Sequence, residues 1–400
     1  MTKKTIHELD LKGRRLFVRV DFNVPIREGV IGDDTRIRAA LPTLTYALNR
    51  GATLVVGSHL GRPNGAVNPE FSLRPVADRL AELLERRVVF AEDCIGDAVT
   101  RAMGQVGARG VVLLENLRFH AGEEANDRVF AAALAAPADC YVNDAFGAAH
   151  RAHASTAGIV NHLPDAAAGL LMAKELRYLG GLLQSPSRPF VALLGGAKVS
   201  GKMEVIENLL RHVDALLIGG AMAYTFFKTQ GLAVGRSLVE DTLMDATRTI
   251  ERTATERGVR LELPSDHVVA ARLEADAAHD TLAVDDPTIG DRLGVDIGPE
   301  TVQRFADIIG AAKTIVWNGP MGVFEIEAFA PGTMAIAKAV ANSGAQTIVG
   351  GGDSVAAVGR AGVADQITHI STGGGASLEL LGGRRLPGLD VLPDAGEGTN

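Results

Sequence analysis

The sequence predicts an α/β protein made of two doubly wound parallel-sheet lobes joined by a hinge helix. Three observations carry this expectation. Short, almost wholly apolar runs recur along the 400 residues with amphipathic segments between them. The pattern occurs twice, on either side of a polar, proline-bearing stretch near residue 185. Glycine is frequent, at 46 residues, while aromatics make up only 4%, a composition common where strand ends carry backbone-binding loops. Alternating strand and helix implies a parallel sheet covered on both faces, and strands buried on both faces read as continuous apolar runs.

In the first half, strands are expected at Leu16–Val20, Thr53–Gly57, Val88–Phe90, Val111–Leu114 and Cys140–Asn143. In the second they are expected at Val191–Leu194, Ala215–Ile218, Leu261–Leu263, Thr314–Trp317 and Thr347–Val349. Ile37, Leu41, Leu44 and Leu48 share one helical face, as do Val76, Leu80, Leu83 and Leu84 behind a Ser72 N-cap. Leu170–Leu183 reads as a helix and Gln184–Pro189 as a linker. The lobes are therefore placed at 1–172 and 190–379, with the hinge at 173–189. The last residues, Asp394–Asn400, are polar and read as loose.

Charge narrows the partners. The net charge is −8, yet residues 1–172 carry 20 basic and 20 acidic side chains, and 17 of those cations are arginine. Arginine offers a planar fork suited to phosphate and carboxylate. No lysine-rich tail or basic helix points to nucleic acid or an anionic membrane, so the expected partner is a small anion. The longest uncharged apolar stretch, Ala215–Phe227, has 13 residues, short of the roughly 18 needed to span a bilayer. The N-terminus lacks the apolar core of a signal peptide, and Cys94 and Cys140 are the only cysteines. A cytoplasmic location is expected.

Ligands of open parallel sheets sit at the carboxyl ends of strands, and polar residues crowd there. Asp21 and Asn23 follow the first strand, where they point to one side of an extended chain or close an Asx turn. Arg36 opens a helix, an unfavourable place for a cation that a nearby anion would relieve. His59 and Arg62 follow the second strand, Arg118 the fourth and Arg151 the fifth. Four arginines at equivalent ends suggest convergence on a polyanion.

In the second half, Gly196 to Lys202 spells G-x-x-x-x-G-K, but Met203 stands where a P-loop needs Ser or Thr to hold Mg²⁺. What remains is a strand, a glycine turn and two lysines four apart, Lys198 and Lys202, at a helix start suited to phosphate. Gly350-Gly351-Gly352-Asp353-Ser354 opens another helix, where Asp353 is the expected Mg²⁺ ligand, its other role being an N-cap. No G-x-S-x-G elbow, zinc spacing, G-x-G-x-x-G or protein-kinase signature is present.

The strings VRVDFNVP, GSHLGRP, ENLRFH, YVNDAFGAAHRAHAS, GGAKVSGK, AYTFFK, VWNGPMGVFE and GGGDS occur in order over nearly the whole chain. Together they resemble the phosphoglycerate kinase family. The resemblance implies two Rossmann-like lobes, with the C-terminal segment from about 380 to 400 returning to the first. It implies reversible phosphoryl transfer between MgATP and the carboxylate of 3-phosphoglycerate, giving 1,3-bisphosphoglycerate and ADP, in a monomer whose lobes close about the hinge. Asp21, Asn23, Arg36, His59, Arg62, Arg118 and Arg151 would hold 3-phosphoglycerate, with Arg36 beside the reacting carboxylate. Lys198 would follow the migrating phosphoryl group, which Gly373 and Gly374 would meet with backbone amides. Lys202, Gly294, Glu325, Gly351, Gly352, Asp353 and Ser354 would hold ATP or ADP and its Mg²⁺. Two departures stand out: the family's usual GGAKVSDK has Asp where this chain has Gly201, and its AFGTAHR has Thr where this chain has Ala148.

Overall fold

The computed structural model describes residues 3–163 and 165–396. The chain divides into two compact units, residues 1–177 with 385–400, and residues 178–384.

The first unit contains β1 (Arg15–Arg19), a small hairpin of β2 (Ile26–Arg27) and β3 (Val30–Ile31), then β4 (Thr53–Gly57), β5 (Val88–Ala91), β6 (Val111–Leu114), β7 (Cys140–Asn143) and β8 (Ala166–Ala168). Its six-stranded sheet runs β5-β6-β4-β1-β7-β8, all parallel. Val18, Leu54, Val56, Val111 and Leu113 are buried in one core with Ile37, Leu44 and Leu48 of helix Thr35–Asn49 and Val76 and Leu80 of helix Arg74–Leu84. Leu41, Leu83 and Leu84 pack at the edge of that core. The second helix starts one residue later than expected, with Leu73 as its N-cap. The Ser72 hydroxyl instead donates to Glu115 at 2.7 Å while accepting from the Arg74 N–H.

The chain's C-terminal segment docks on this unit. The Asn143 side chain donates to the Gly388 carbonyl, and Lys3 pairs with Asp394 at 2.8 Å. Asp394 is thus tied down rather than loose; residues 397–400 lie outside the described residues.

The second unit holds β9 (Phe190–Leu194), β10 (Ala215–Ile218), β11 (Arg260–Glu262), β12 (Asp266–Ala270), β13 (His279–Ala283), β14 (Leu293–Ile297), β15 (Thr314–Asn318), β16 (Gln346–Gly350) and β17 (His369–Ile370). Its main sheet runs β11-β10-β9-β15-β16-β17, again parallel. Trp317, Ile315, Phe305, Ile309 and Ile336 anchor the core. The additional antiparallel sheet β13-β12-β14 has no counterpart among the expected strands.

The expected helix Leu170–Leu183 is a helix with a break in it. Regular turns at Leu170–Glu175 and Gly181–Gln184 flank a π-helical segment, Leu176–Gly180. Wide turns of this kind interrupt the i→i−4 ladder, and the two adjacent glycines there lower helix propensity further.

Candidate active-site residues

The first unit gathers cations at one edge of its sheet. Strands β6, β4, β1 and β7 are neighbours and parallel, so the loops that follow them open on the same side. Asp21 Oδ2 accepts from Arg36 Nη1 at 2.7 Å, and Asp21 Oδ1 accepts the Asn23 N–H. Asn23 Oδ1 in turn accepts the Gly61 N–H at 2.9 Å. Asp21 and Asn23 therefore tie the loops to one another, and the Asx turn is present.

His59 lies 6% exposed, its Nδ1 3.2 Å from Arg19 Nη2. A guanidinium only donates, so Nδ1 accepts and the ring proton sits on Nε2. Burial, followed by the fields of Arg19, Arg118 and Arg36, pushes this histidine well below its usual pKa. It is a neutral donor at pH 7. Arg118 is also buried and gives one N–H to the Gly61 carbonyl at 2.8 Å. Its burial, with Arg151 and Arg19 close by, lowers its pKa although Glu124 opposes the shift. Arg151 donates to His150, and Arg62 is exposed with no hydrogen bond or ion pair among the described residues.

Arg19 completes the picture and was not anticipated. It is fully buried, donating to Ser155 Oγ at 2.7 Å and to the Val20 carbonyl. Glu123, equally buried, accepts from the Ser155 N–H and hydroxyl, with Arg19 Nη2 at 4.0 Å. Burial raises the Glu123 pKa while Arg19 and Ser155 lower it. The available signal was one charged residue closing an otherwise apolar strand run, Leu16-Phe-Val-Arg19. Arg36 is the second residue of helix Thr35–Asn49, as expected, and Arg118 lies inside a 3₁₀ turn, Leu117–Phe119, after β6. Ala148, one of the departures, is buried in the turn Phe146–Ala148.

A groove of about 850 Å³ lies elsewhere in this unit, between residues 29–34 and helix Arg74–Leu84. Asp34 and Arg79 on its wall already pair at 2.8 Å, and none of the seven expected binding residues lines it.

In the second unit, β9 lies between β10 and β15, so the strand order reverses there and the loops after β9 and β15 diverge around a crevice. These loops touch backbone to backbone. Gly196 N–H donates to the Pro320 carbonyl, and a Cβ on Gly195 would stand 2.1 Å from that same oxygen. Only glycine permits this approach. Lys202 Nζ donates to the Asn318 carbonyl at 2.8 Å and to its side-chain oxygen. Burial pulls Lys202 down to about 8, against the attraction of Asp353. Lys198, in the same loop, is exposed and makes no hydrogen bond or ion pair among the described residues.

A cavity of about 250 Å³ opens beside this crossing, lined among others by Gly196, Tyr224, Gly294, Glu325 and Asp353. Its shape depends on Gly294, where a Cβ would fall 1.5 Å from Tyr224 Oη. Gly351, at φ +90°, turns the chain into helix Gly352–Arg360, and Asp353 is exposed in its first turn. Two expected contacts have other partners here. Buried Ser354 accepts the Gly319 N–H at 2.5 Å, and the Gly373 N–H donates to Ser371 Oγ. Gly374, at φ +52°, caps helix Gly375–Leu381. Asp353 fits a Mg²⁺ ligand, because its carboxylate carries no hydrogen bond or ion pair among the described residues. Mg²⁺ needs only one or two carboxylates beside phosphate oxygens and water.

Residues 6–384 match the profile of the phosphoglycerate kinase family. The chain belongs to the phosphoglycerate kinase family. It is 56% identical to the phosphoglycerate kinase of Acidobacterium capsulatum over 98% of this chain and all of that one. To that of Chlorobium phaeobacteroides it is 55% identical, again over 98% and 100%. Among solved structures, the Coxiella burnetii phosphoglycerate kinase superposes with a TM-score of 0.89 at 42% identity, covering 97% of this chain and 98% of that one. The Pyrococcus horikoshii enzyme follows at 0.85 and 34%, with the same coverage. The family's reaction is reversible phosphoryl transfer between ATP and 3-phosphoglycerate, a glycolytic step, and ATP or ADP is the co-substrate.

Proposed function

We propose that this chain performs the family's transfer by positioning and charge stabilisation, without a general base. The observation that carries the reading is the charge imbalance at the first unit's strand ends. Among the described residues, Arg19, Arg36 and Arg118 pair with Glu123, Asp21 and Glu124, while Arg62 and Arg151 make no ion pair. Such a basin is unfavourable empty and favourable around a phosphate plus a carboxylate. The acceptor carboxylate, with a reference pKa near 4, is already ionised at pH 7, so nothing needs to remove a proton.

Residues 1–172 hold 3-phosphoglycerate in this reading, through Asp21, Asn23, Arg36, His59, Arg62, Arg118 and Arg151. Arg36 neutralises the attacking carboxylate. Neutral His59 contributes its Nε2–H as a donor. Residues 190–379 hold the nucleotide: Glu325 on the ribose, Gly294 lining the nucleotide cavity, and Lys202, Gly351, Gly352 and Ser354 at the phosphates. Mg²⁺, held by Asp353, would supply charge neutralisation of the β- and γ-phosphate oxygens when bound. Lys198, with no hydrogen bond or ion pair among the described residues, accompanies the transferring group; the Gly374 N–H meets it, and the Gly373 N–H does so once released from Ser371 Oγ. Two substrates carried by different units require movement at the segment joining them, residues 173–189, and the π-helical turn lies within it. The family's expectation of a cytoplasmic monomer goes with this reading.

Steady-state kinetics of Lys198→Ala test the role assignment. Loss of a group that acts only as charge develops lowers kcat by about 10²–10³ with KM nearly unchanged. A variant with wild-type kcat would overturn it.

A further inference from the structure

At the solvent edge of the first unit, three donors of different chemistry meet. Asp93 and Cys94 lie in the loop after β5, and His120 follows the 3₁₀ turn after β6. Because β5 and β6 pair in parallel over four residues, both loops leave the same end of the sheet, and their positions are set by the ladder. One ligand atom from each residue lies within 4.8 Å of the others.

We propose that Asp93, Cys94 and His120 form a binding site for a thiophilic divalent cation of the Zn²⁺ class. The thiolate–imidazole–carboxylate set matches zinc chemistry, in which three protein donors and one water make a tetrahedron. It does not suit Mg²⁺, which takes oxygen donors. Cys94 is 1% exposed and forms the floor. The His120 and Asp93 side chains are 32% and 44% exposed and form the open rim, which leaves a path for the ion and room for a water.

Several contacts already orient the donors. His120 Nε2 lies 2.7 Å from Asp93 Oδ1, the same oxygen that accepts the Cys94 N–H at 2.6 Å. The His120 ring stacks on Phe130, with centroids 5.2 Å apart. Tetrahedral ligands at zinc distances stand about 3.4 Å apart, so the histidine–aspartate pair needs to open by less than an ångström.

The buried Cys94 side chain enters as a thiol. On metal entry a sulfur–metal bond replaces the S–H bond and that proton leaves to solvent. Without metal the neutral imidazole donates Nε2–H to Asp93; on metal entry Nε2 gives that proton to solvent, Nδ1 takes one up from solvent, and Nε2 binds the ion. One thiolate and one carboxylate then balance the 2+ charge. His120 follows Arg118 by two residues, so a bound ion would tie the β5 loop to the turn that carries this arginine.

The experiment is a titration of the full chain, stripped of metal and free of nucleotide, with Co²⁺ alone. A near-ultraviolet thiolate-to-cobalt band with strong visible absorption at one ion per chain is the expected result. Oxygen-only sites, such as that around Asp353, give neither. The band should disappear in Cys94→Ser and weaken at least tenfold in affinity in His120→Gln, a half-buried position whose folding is checked by an unchanged urea midpoint. Cys140→Ala should leave it unchanged. Absence of the band, its survival in Cys94→Ser, or its equal loss in Cys140→Ala would overturn the proposal.

Discussion

Lys202 Nζ donates to the main-chain oxygen of Asn318 at 2.8 Å, joining the loop after β9 to the loop after β15. The two strands are sheet neighbours, and the lysine caps the crevice where their loops part. The ammonium is therefore structural before any ligand arrives, and its burial makes it titratable near neutrality.

This sets a pH dependence for nucleotide binding. Lys202 has its pKa lowered to about 8, and a bound polyphosphate favours the protonated form. Affinity is full below pH 8 and falls as pH rises through 8, approaching tenfold per unit until the pKa of the complex is reached. Isothermal titration of ADP between pH 6.5 and 9.5 measures it. Lys202→Arg, which stays charged, should flatten the curve.

Arg62 offers the cleanest separation of binding from folding. It is exposed and pairs with nothing among the described residues. Arg62→Ala should weaken 3-phosphoglycerate binding by about 10–100-fold, the worth of a charge-assisted contact, and leave the denaturation midpoint unchanged. Arg19→Met should lower stability as well as binding. It leaves Glu123 buried without its cation, and loss of about 3–5 kcal/mol in urea unfolding is expected.

The parts of the fold legible in the sequence were those buried on both faces. β6 and β10 are apolar from end to end, β4 and β7 have one polar residue each at an end, and the expected bounds of all four match the observed ones. β13 is mostly exposed and reads His-Asp-Thr-Leu-Ala, while β14 contains Gly294 and Asp296. β13 has neither an apolar run nor alternation, whereas β14 alternates Leu293, Val295 and Ile297 with Gly294 and Asp296, a short period-2 signal absent from the expected strands. β8 is Ala-Ala-Ala, weak in strand propensity and held by its neighbours. At the site, motif residues were visible because they cluster in short loops. The Arg19–Ser155–Glu123 network was not, since its members lie 136 and 32 positions apart and only folding brings them together.

Gly195 tests the loop crossing without touching a charge. A methyl group there would meet the Pro320 carbonyl at 2.1 Å, so Gly195→Ala must push the two loops apart. Overpacking of this kind costs about 1–3 kcal/mol. ADP affinity and unfolding free energy should fall together, whereas 3-phosphoglycerate affinity, carried by the other unit, should not change.

Gly201 is a departure from the family pattern with room to spare. Nothing lies within 4 Å of a Cβ built there, and its φ is not positive. Gly201→Asp should stabilise the chain by about 1 kcal/mol, from reduced unfolded-state freedom and a carboxylate at a helix start. Turnover should stay within about twofold. Chemical denaturation alongside steady-state rates checks both.

The central claim, transfer from nucleotide to the carboxylate of 3-phosphoglycerate, is tested most directly by turnover itself. The rate is followed through NADH oxidation by glyceraldehyde-3-phosphate dehydrogenase, which consumes the acyl phosphate. Turnover that requires ATP, 3-phosphoglycerate and Mg²⁺ together is the predicted result. Folded protein that binds both substrates yet shows no turnover would contradict it.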